Sequence, residues 1–192
     1  MLLSLLGLVL ASCALLETPE PLPLYTLQSG PFERANTLKE SLAIDTPLCE
    51  ASLNTNRIAL TPSPYQRDYF ADGSWPDRLP NVFQTVLLDG LTQRWGGIKV
   101  NPMRTGLQTK YVLQSEIQDF SIHDCDGAET EAHIKVLFKV VNLRDRKVVA
   151  SQSFEEKVPL HSLTMETIIV SFNQGTHSLL ERTISWMEKD VF

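Results

Sequence analysis

The feature that most constrains the fold is a run of three alternating segments between residues 111 and 158. In the middle segment, every second residue from Ile134 to Val140 is large and apolar, and the residues on the other face include two lysines. A period of two is typical of a strand that buries one face. In the first segment the apolar residues change face after Ile117, which predicts a β-bulge near Gln118 or Asp119. The three segments therefore predict a meander of long strands.

Two amphipathic helices are predicted beside these strands. The first ends at Gly96 after an apolar stripe through Trp95, and it begins after Ser74 or, alternatively, with Pro80 in its first turn. The second runs from about Thr164 to Lys189 with apolar residues recurring on one face. Further short strands are predicted over residues 25–27, 42–44, 57–60, 65–70 and 98–100. This order of elements predicts an α/β fold class, with a layered mixed β-sheet and two amphipathic helices in a single domain.

The N-terminal residues carry a signal for export and lipid attachment. Residues 1–11 are uncharged and almost wholly apolar, which is typical of a signal-peptide core and too short to span a bilayer, which takes about 20 residues. The end of this segment, Leu10-Ala11-Ser12-Cys13, matches the bacterial lipobox, in which the cysteine thiol receives diacylglycerol. The sequence thus predicts a signal peptide over residues 1–12 and a lipid on Cys13. It departs from ordinary signals in having no Lys or Arg before Cys13, and the alternative is a buried structural cysteine in an N-terminal helix.

Residues 13–23 are predicted to be the lipidated cysteine and a flexible tether. Three prolines and two glutamates over residues 14–23 favour an extended segment that does not pack. At about 3 Å per residue such a tether reaches on the order of 30 Å from the bilayer. Residues 24–192 are then predicted to form the α/β domain, which is long enough to bury a real hydrophobic core.

Net charge and cysteine content narrow the partners and the compartment. A net charge of −6 and a pI of about 5.2 argue against nucleic acid as a partner, because its binding needs a basic surface. A lipoprotein matures where disulfides persist, and Cys49 and Cys125 each fall near the end of a predicted strand. The sequence therefore predicts a Cys49–Cys125 disulfide. The alternative is two separate buried thiols.

Candidate catalytic groups are sparse. The stretch His123-Asp124-Cys125-Asp126 could pair an imidazole with a thiol or supply ligands to a metal, but no second ligand pair at zinc-like spacing accompanies it. We interpret the stretch as a solvated loop, and we place His133 on the outer face of its strand. No phosphate loop, nucleophile elbow or dinucleotide fingerprint occurs in the sequence. The sequence therefore predicts a protein that is not an enzyme, with no catalytic residue, no metal site and no cofactor apart from the lipid on Cys13.

Several short motifs occur along the domain in a characteristic order. They are Tyr25-Thr26-Leu27, Arg57-Ile58, Tyr69-Phe70-Ala71 with Trp75, Val100 ahead of Tyr111-Val112-Leu113, Phe120, the segment 148–154 and Trp186. On these residues the chain resembles the ABC-type transport auxiliary lipoprotein family from about Tyr25 to Trp186. The resemblance implies a lipid-tethered periplasmic α/β domain that works with ABC transporter and MCE-domain subunits to move lipids between two membranes. It carries over no catalytic residues.

Two functions are compatible with these features. The first is a non-enzymatic accessory lipoprotein of an intermembrane lipid transport system, anchored in the outer membrane because Ala14 rather than aspartate follows Cys13. The alternative is a lipoprotein regulator that binds and activates a peptidoglycan-synthesising enzyme, and the short tether favours the first. A homo-oligomer is compatible with either function. The predicted partner surface is the outer face of the long strands, which carries Glu116, Gln118, His133, Lys135 and Lys139.

Overall fold

The computed structural model describes residues 21–35, 38–125 and 129–192, so Cys13 and the predicted signal segment lie outside the described residues. In chain order the strands are β1 (Leu42–Ile44), β2 (Leu48–Cys49), β3 (Arg57–Ser63), β4 (Gln66–Ser74), β5 (Val100–Pro102), β6 (Tyr111–His123), β7 (Glu131–Asn142) and β8 (Lys147–Pro159). In the described ranges the α-helices are α1 (Leu79–Trp95), between β4 and β5, and α2 (Met165–Asp190), after β8. A 3-10 turn, Met103–Thr105, follows β5.

Strand β6 is the centre of the sheet. One of its edges pairs antiparallel with β7, which in turn pairs antiparallel with β8. Its other edge pairs in succession with β1, β2 and β3, and all three are parallel to it. Strand β5 extends the sheet beyond β1, and β4 extends it beyond β3. The predicted mixed sheet with two helices is therefore confirmed.

The predicted bulge in β6 is also confirmed. The register between β6 and β7 shifts between Ile117 and Asp119, so that Gln118 is the extra residue. Because side chains alternate along a strand, this one residue exchanges the two faces of β6. Phe120 and Ile122 remain in the core with Ile117, and Asp119 turns to the outer face.

Both helices cover the inner face of the sheet. Phe172 of α2 stacks on Phe120 with their ring centroids 4.7 Å apart, and Phe83 of α1 meets the same Phe120 ring edge-on. Trp75, just after β4, packs edge-on against Phe172 and is 1% exposed. Helix α2 approaches the sheet closely at Gly175, where an added Cβ would lie 2.9 Å from the Cδ1 atom of Ile134. The core is thus an aromatic layer between the sheet and the helices.

The ends of the helices follow their local sequence. The start of α1 is the later of the two predicted alternatives, since Pro80 lies in its first turn and Arg78 makes no side-chain cap. Gly96, with a φ of 83°, ends this helix. The hydroxyl of Thr164 caps α2 by accepting from the amide of Thr167. No helix within the three described ranges is both long enough and apolar enough to cross a membrane.

The first predicted strand, residues 25–27, does not form. The chain touches β4 only at a single bridge between Leu24 and Ser74 and then leaves the sheet. The amide of Gln28 donates to Asn173 Oδ1 at 2.7 Å, and the carbonyl of Ser29 bonds with His177 Nδ1 at 2.8 Å. After its bond from the Tyr25 amide to Ser74, the segment therefore leaves the sheet and finds its hydrogen-bond partners on the helices.

Candidate functional site

A cluster of ionisable side chains lies on the outer face of the sheet. His133 of β7 stands opposite Ser121 of β6. Asp119 and His123 lie two residues to either side of Ser121, so both are diagonal neighbours of His133. The bulge at Gln118 puts Asp119 and His123 on the same face as His133, because it shifts the second half of β6 by one residue and so turns both side chains outward.

Three atoms of this cluster converge on one point. Asp119 Oδ2 lies 2.8 Å from His123 Nε2 and 3.1 Å from His133 Nδ1. The two imidazole nitrogens are 3.2 Å apart. The side chain of Asp119 is 15% exposed, that of His123 is 27% exposed and that of His133 is 12% exposed. The cluster is therefore mostly shielded from solvent, and His123 is its most exposed member. Each of the three atoms is therefore within hydrogen-bond distance of the other two.

Neighbouring groups hold this triangle in place. Asp119 Oδ1 accepts from Ser121 Oγ at 2.7 Å, and Arg67 Nη1 lies 3.5 Å away. His133 Nε2 lies 2.8 Å from Glu155 Oε1 on β8. A carboxylate only accepts hydrogen bonds, so Nε2 of His133 carries a hydrogen and donates it to Glu155. The Ser121 hydroxyl donates to a carboxylate and not to an imidazole, so the cluster lacks the nucleophile–base pair of acyl-transfer enzymes.

The charges of the cluster shift the ionisation of its members. Burial alone would raise the pKa of Asp119, but hydrogen bonds from His133, Ser121 and His123 outweigh it and hold that pKa well below its ordinary value. The hydrogen bond to Asp119 raises the pKa of His133, burial opposes it, and the bond to Glu155 adds to the rise. The hydrogen bond from His133 lowers the pKa of Glu155. The outer face therefore holds two anionic carboxylates around His133.

The stretch interpreted from the sequence as a solvated loop divides in the structure. His123 is the last residue of β6 and belongs to the cluster, whereas Asp124 Oδ1 accepts from the hydroxyl of Thr130. Cys125 Sγ lies 3.6 Å from the carbonyl oxygen of Thr61, and Asp126 lies outside the described residues. The cluster was not predicted from the sequence, because His123, Asp119 and His133 are separated along the chain. The predicted bulge, combined with the pairing of β6 and β7, is the signal that could have found it.

The structure contradicts the predicted disulfide. In the described part of the chain, Cys49 and Cys125 are both free thiols. Cys49 pairs with Ile117 in the middle of β6, and Cys125 lies eight residues further along the chain. At about 3.3 Å per residue the two Cα atoms are roughly 20 Å or more apart, whereas a disulfide needs less than about 7 Å. Of the alternative, two separate buried thiols, the separation holds, but both cysteines are only partly buried. Burial raises the pKa of the Cys49 thiol.

The other residues of the predicted partner surface lie on the outer face of the sheet, as the alternation along the strands predicts. Glu116, Gln118 and Lys139 are exposed, and Lys135 is half-buried with its Nζ 3.5 Å from Glu155 Oε2. A shallow cleft of about 120 Å³ lies on the same face, with Leu48 and Leu137 among its lining residues, next to Glu116 and Lys139. The outer face therefore combines mixed charges with a small apolar depression.

The fold and the polar outer face define a class of single-domain α/β proteins in which two helices cover one side of a mixed sheet. A crystal structure of protein XCC0632 from Xanthomonas campestris shares this fold with a TM-score of 0.76, at 16% identity over 87% of this chain and 94% of that chain. A second crystal structure, of an uncharacterized protein, matches with a TM-score of 0.65, at 13% identity over 86% of this chain and 99% of that one. At these identities the likeness shows the fold alone.

Residues 25–183 match the ABC-type transport auxiliary lipoprotein component family, and the chain belongs to that family. A curated relative, the uncharacterized protein bll6063 of Bradyrhizobium diazoefficiens, is 31% identical over 154 residues, which are 79% of this chain. The chain spans 40% of the length of that relative. The resemblance identified from the sequence is confirmed, and the family is a transport auxiliary class and not an enzyme class.

Proposed function

We propose that this protein is a non-enzymatic accessory subunit of an ABC/MCE-type system that moves lipids between the two membranes of the cell envelope. The observation that carries the proposal is the family match over residues 25–183, which covers the whole sheet and most of α2. The proposal gives the Asp119 cluster no acyl-transfer role, since its serine hydroxyl donates to a carboxylate and not to an imidazole.

In this proposal residues 1–12 are removed as a signal peptide and residues 13–23 connect the lipid on Cys13 to the domain at 24–192. Pro23 and Leu24 lie against Ser74 at the end of β4, so the tether leaves the domain at that point. Ala14 after Cys13 supports retention in the outer membrane, with the domain facing the periplasm. Two or more acyl chains give a lasting anchor. Confinement beside the membrane raises the effective concentration of the domain for a partner there.

The partner surface in this proposal is the outer face of β6 and β7. It carries the exposed Glu116 and Lys139 beside the apolar cleft at Leu48 and Leu137, which suits a partner of mixed charge with an apolar contact at its centre. The inner face is covered by α1 and α2 and offers no comparable area among the described residues.

Affinity purification of the full chain from detergent-solubilised envelopes tests this function. We expect a permease, its ATPase and an MCE-domain subunit to co-purify, and we expect Lys139→Glu to reduce their recovery. Lys189→Glu, a charge reversal at another exposed lysine, in the last turn of α2, should leave recovery unchanged. Recovery of a peptidoglycan synthase without any transport subunit would refute the proposal.

A further inference from the structure

We propose that Asp119, His123 and His133 form a binding site for a divalent transition-metal ion of the Zn²⁺ type. The three ligand atoms, Asp119 Oδ2, His123 Nε2 and His133 Nδ1, form a triangle with edges of 2.8, 3.1 and 3.2 Å. With metal–ligand distances of about 2.0–2.1 Å, one face of a tetrahedral zinc site has edges of about 3.3 Å. Opening the triangle by a few tenths of an ångström would therefore seat the ion.

The ligand chemistry suits this class of metal. Two imidazole nitrogens and one carboxylate oxygen are a ligand set used by zinc, and imidazole also suits other late first-row divalent ions. Three protein ligands leave a fourth coordination position, which water or a group from another molecule can fill. The partial exposure of His123, at 27%, gives an ion a path to the site.

The groups around the triangle are those that a metal site requires. Glu155 accepts from Nε2 of His133, which fixes the orientation of the ring so that Nδ1 faces the other two ligands. Ser121 and Arg67 occupy the other oxygen of Asp119, so Oδ2 is the oxygen left for an ion. Nδ1 of His133 and Oδ2 of Asp119 are 3.1 Å apart, which is close enough for both atoms to bind one ion.

The backbone holds the ligands before any ion arrives. Asp119 and His123 lie on β6 and His133 on β7, within a continuous antiparallel ladder that follows the bulge. Ligands on paired strands are positioned more firmly than ligands on loops, so little ordering accompanies binding. This inference stands on these residues and is independent of the proposed transport role.

Equilibrium dialysis of the full chain in detergent, without a polyhistidine tag, tests the site with Zn²⁺ alone. We expect one ion per chain and a zinc-dependent rise in the thermal midpoint of unfolding, because a ligand that binds only the folded state stabilises it. Co²⁺ in place of Zn²⁺ should give the visible d–d absorption of a four-coordinate site. His123→Ala and His133→Ala should each weaken binding about 100-fold or more. Glu155→Ala should weaken it about 10-fold or more, since loss of the group that orients a ligand costs about 10–100-fold.

Two variants serve as matched controls. His161→Ala removes an exposed histidine outside the cluster, and Cys125→Ser removes the thiol nearest to His123 along the chain. Both should bind zinc as the wild type does. Asp119→Asn keeps the shape of its side chain, so it tests the site even if a histidine variant fails to fold. The proposal is overturned if the wild type binds no zinc at millimolar free ion. It is equally overturned if folded His123→Ala and Asp119→Asn proteins bind zinc with unchanged affinity.

Discussion

Truncation of Phe172 should remove a large part of the stability of the domain. Phe172 is fully buried in α2, stacked on Phe120 with an interplanar angle of 10° and closed on another side by Trp75. A Phe→Ala change in a core costs about 3–5 kcal/mol, of which an aromatic pair supplies about 0.5–1.5. Rigid rings on two sides leave little room for collapse, so we expect the upper half of that range. For a domain of this size the thermal midpoint should fall by roughly 8–20 °C.

Urea unfolding followed by far-UV circular dichroism measures this loss. Fluorescence is a secondary probe, because Trp75 contacts the mutated ring and would report the change locally. Val170→Ala, at a position of the same helix that is 60% exposed, is the matched control and should change stability by less than about 0.5 kcal/mol. Phe172→Leu should destabilise the domain by an amount between those of Phe172→Ala and Val170→Ala. If Phe172→Ala destabilises no more than Val170→Ala, the packing of α2 on the sheet has been misassigned.

Three further outcomes are expected. The bond from Arg94 lowers the pKa of Glu188, so it stabilises the fold above the unfolded pKa of about 4.3 and is lost as pH falls through the folded value. Glu188→Gln should therefore lower the free energy of unfolding by up to about 1 kcal/mol at pH 7. Urea titrations near pH 3 should show a smaller difference in stability between the variant and the wild type. A difference that grows in acid would contradict this. Alkylation of unreduced, unfolded protein should label both Cys49 and Cys125, and mass spectrometry that finds them linked would contradict the structure. Cys13→Ser should abolish fatty-acid labelling and release the protein from membranes, and a membrane-bound, unlabelled wild type would contradict lipid anchoring.

Periodicity made the long strands and the helices predictable from the sequence. Ile134 to Val140 alternate because one face of β7 is buried along its whole length, and the change of face after Ile117 revealed the bulge. The start of α1 depended on which of two prolines lies in its first turn, and local sequence does not decide between them. Residues 25–27 look like a strand but make only one backbone hydrogen bond to β4, and the next residue, Gln28, bonds to α2, because tertiary contacts override a short local preference.

The candidate site depends on pairing across strands, which the sequence does not state. His123 and His133 are ten residues apart along the chain, and only the register of β6 against β7 shows that their imidazoles meet. The disulfide prediction failed for the same reason. Cys49 and Cys125 both lie near strand ends, but β2 pairs halfway along β6 and Cys125 follows its far end. A cysteine near the end of a strand can lie at either end of the sheet, and the sequence does not say which.

The shared edge of β6 has a consequence for the order in which the chain folds. The residues of β1, β2 and β3 that pair with β6 lie more than 60 positions before their partners, whereas β6, β7, β8 and α2 follow one another directly. Local contacts form faster than distant ones because they close shorter loops. The C-terminal half therefore contains its own early contacts, as does the β3–β4 hairpin, whereas the pairing of β1, β2 and β3 with β6 waits for the C-terminal half. During synthesis, β1 and β2 emerge first and are among the last strands to reach their partner on β6.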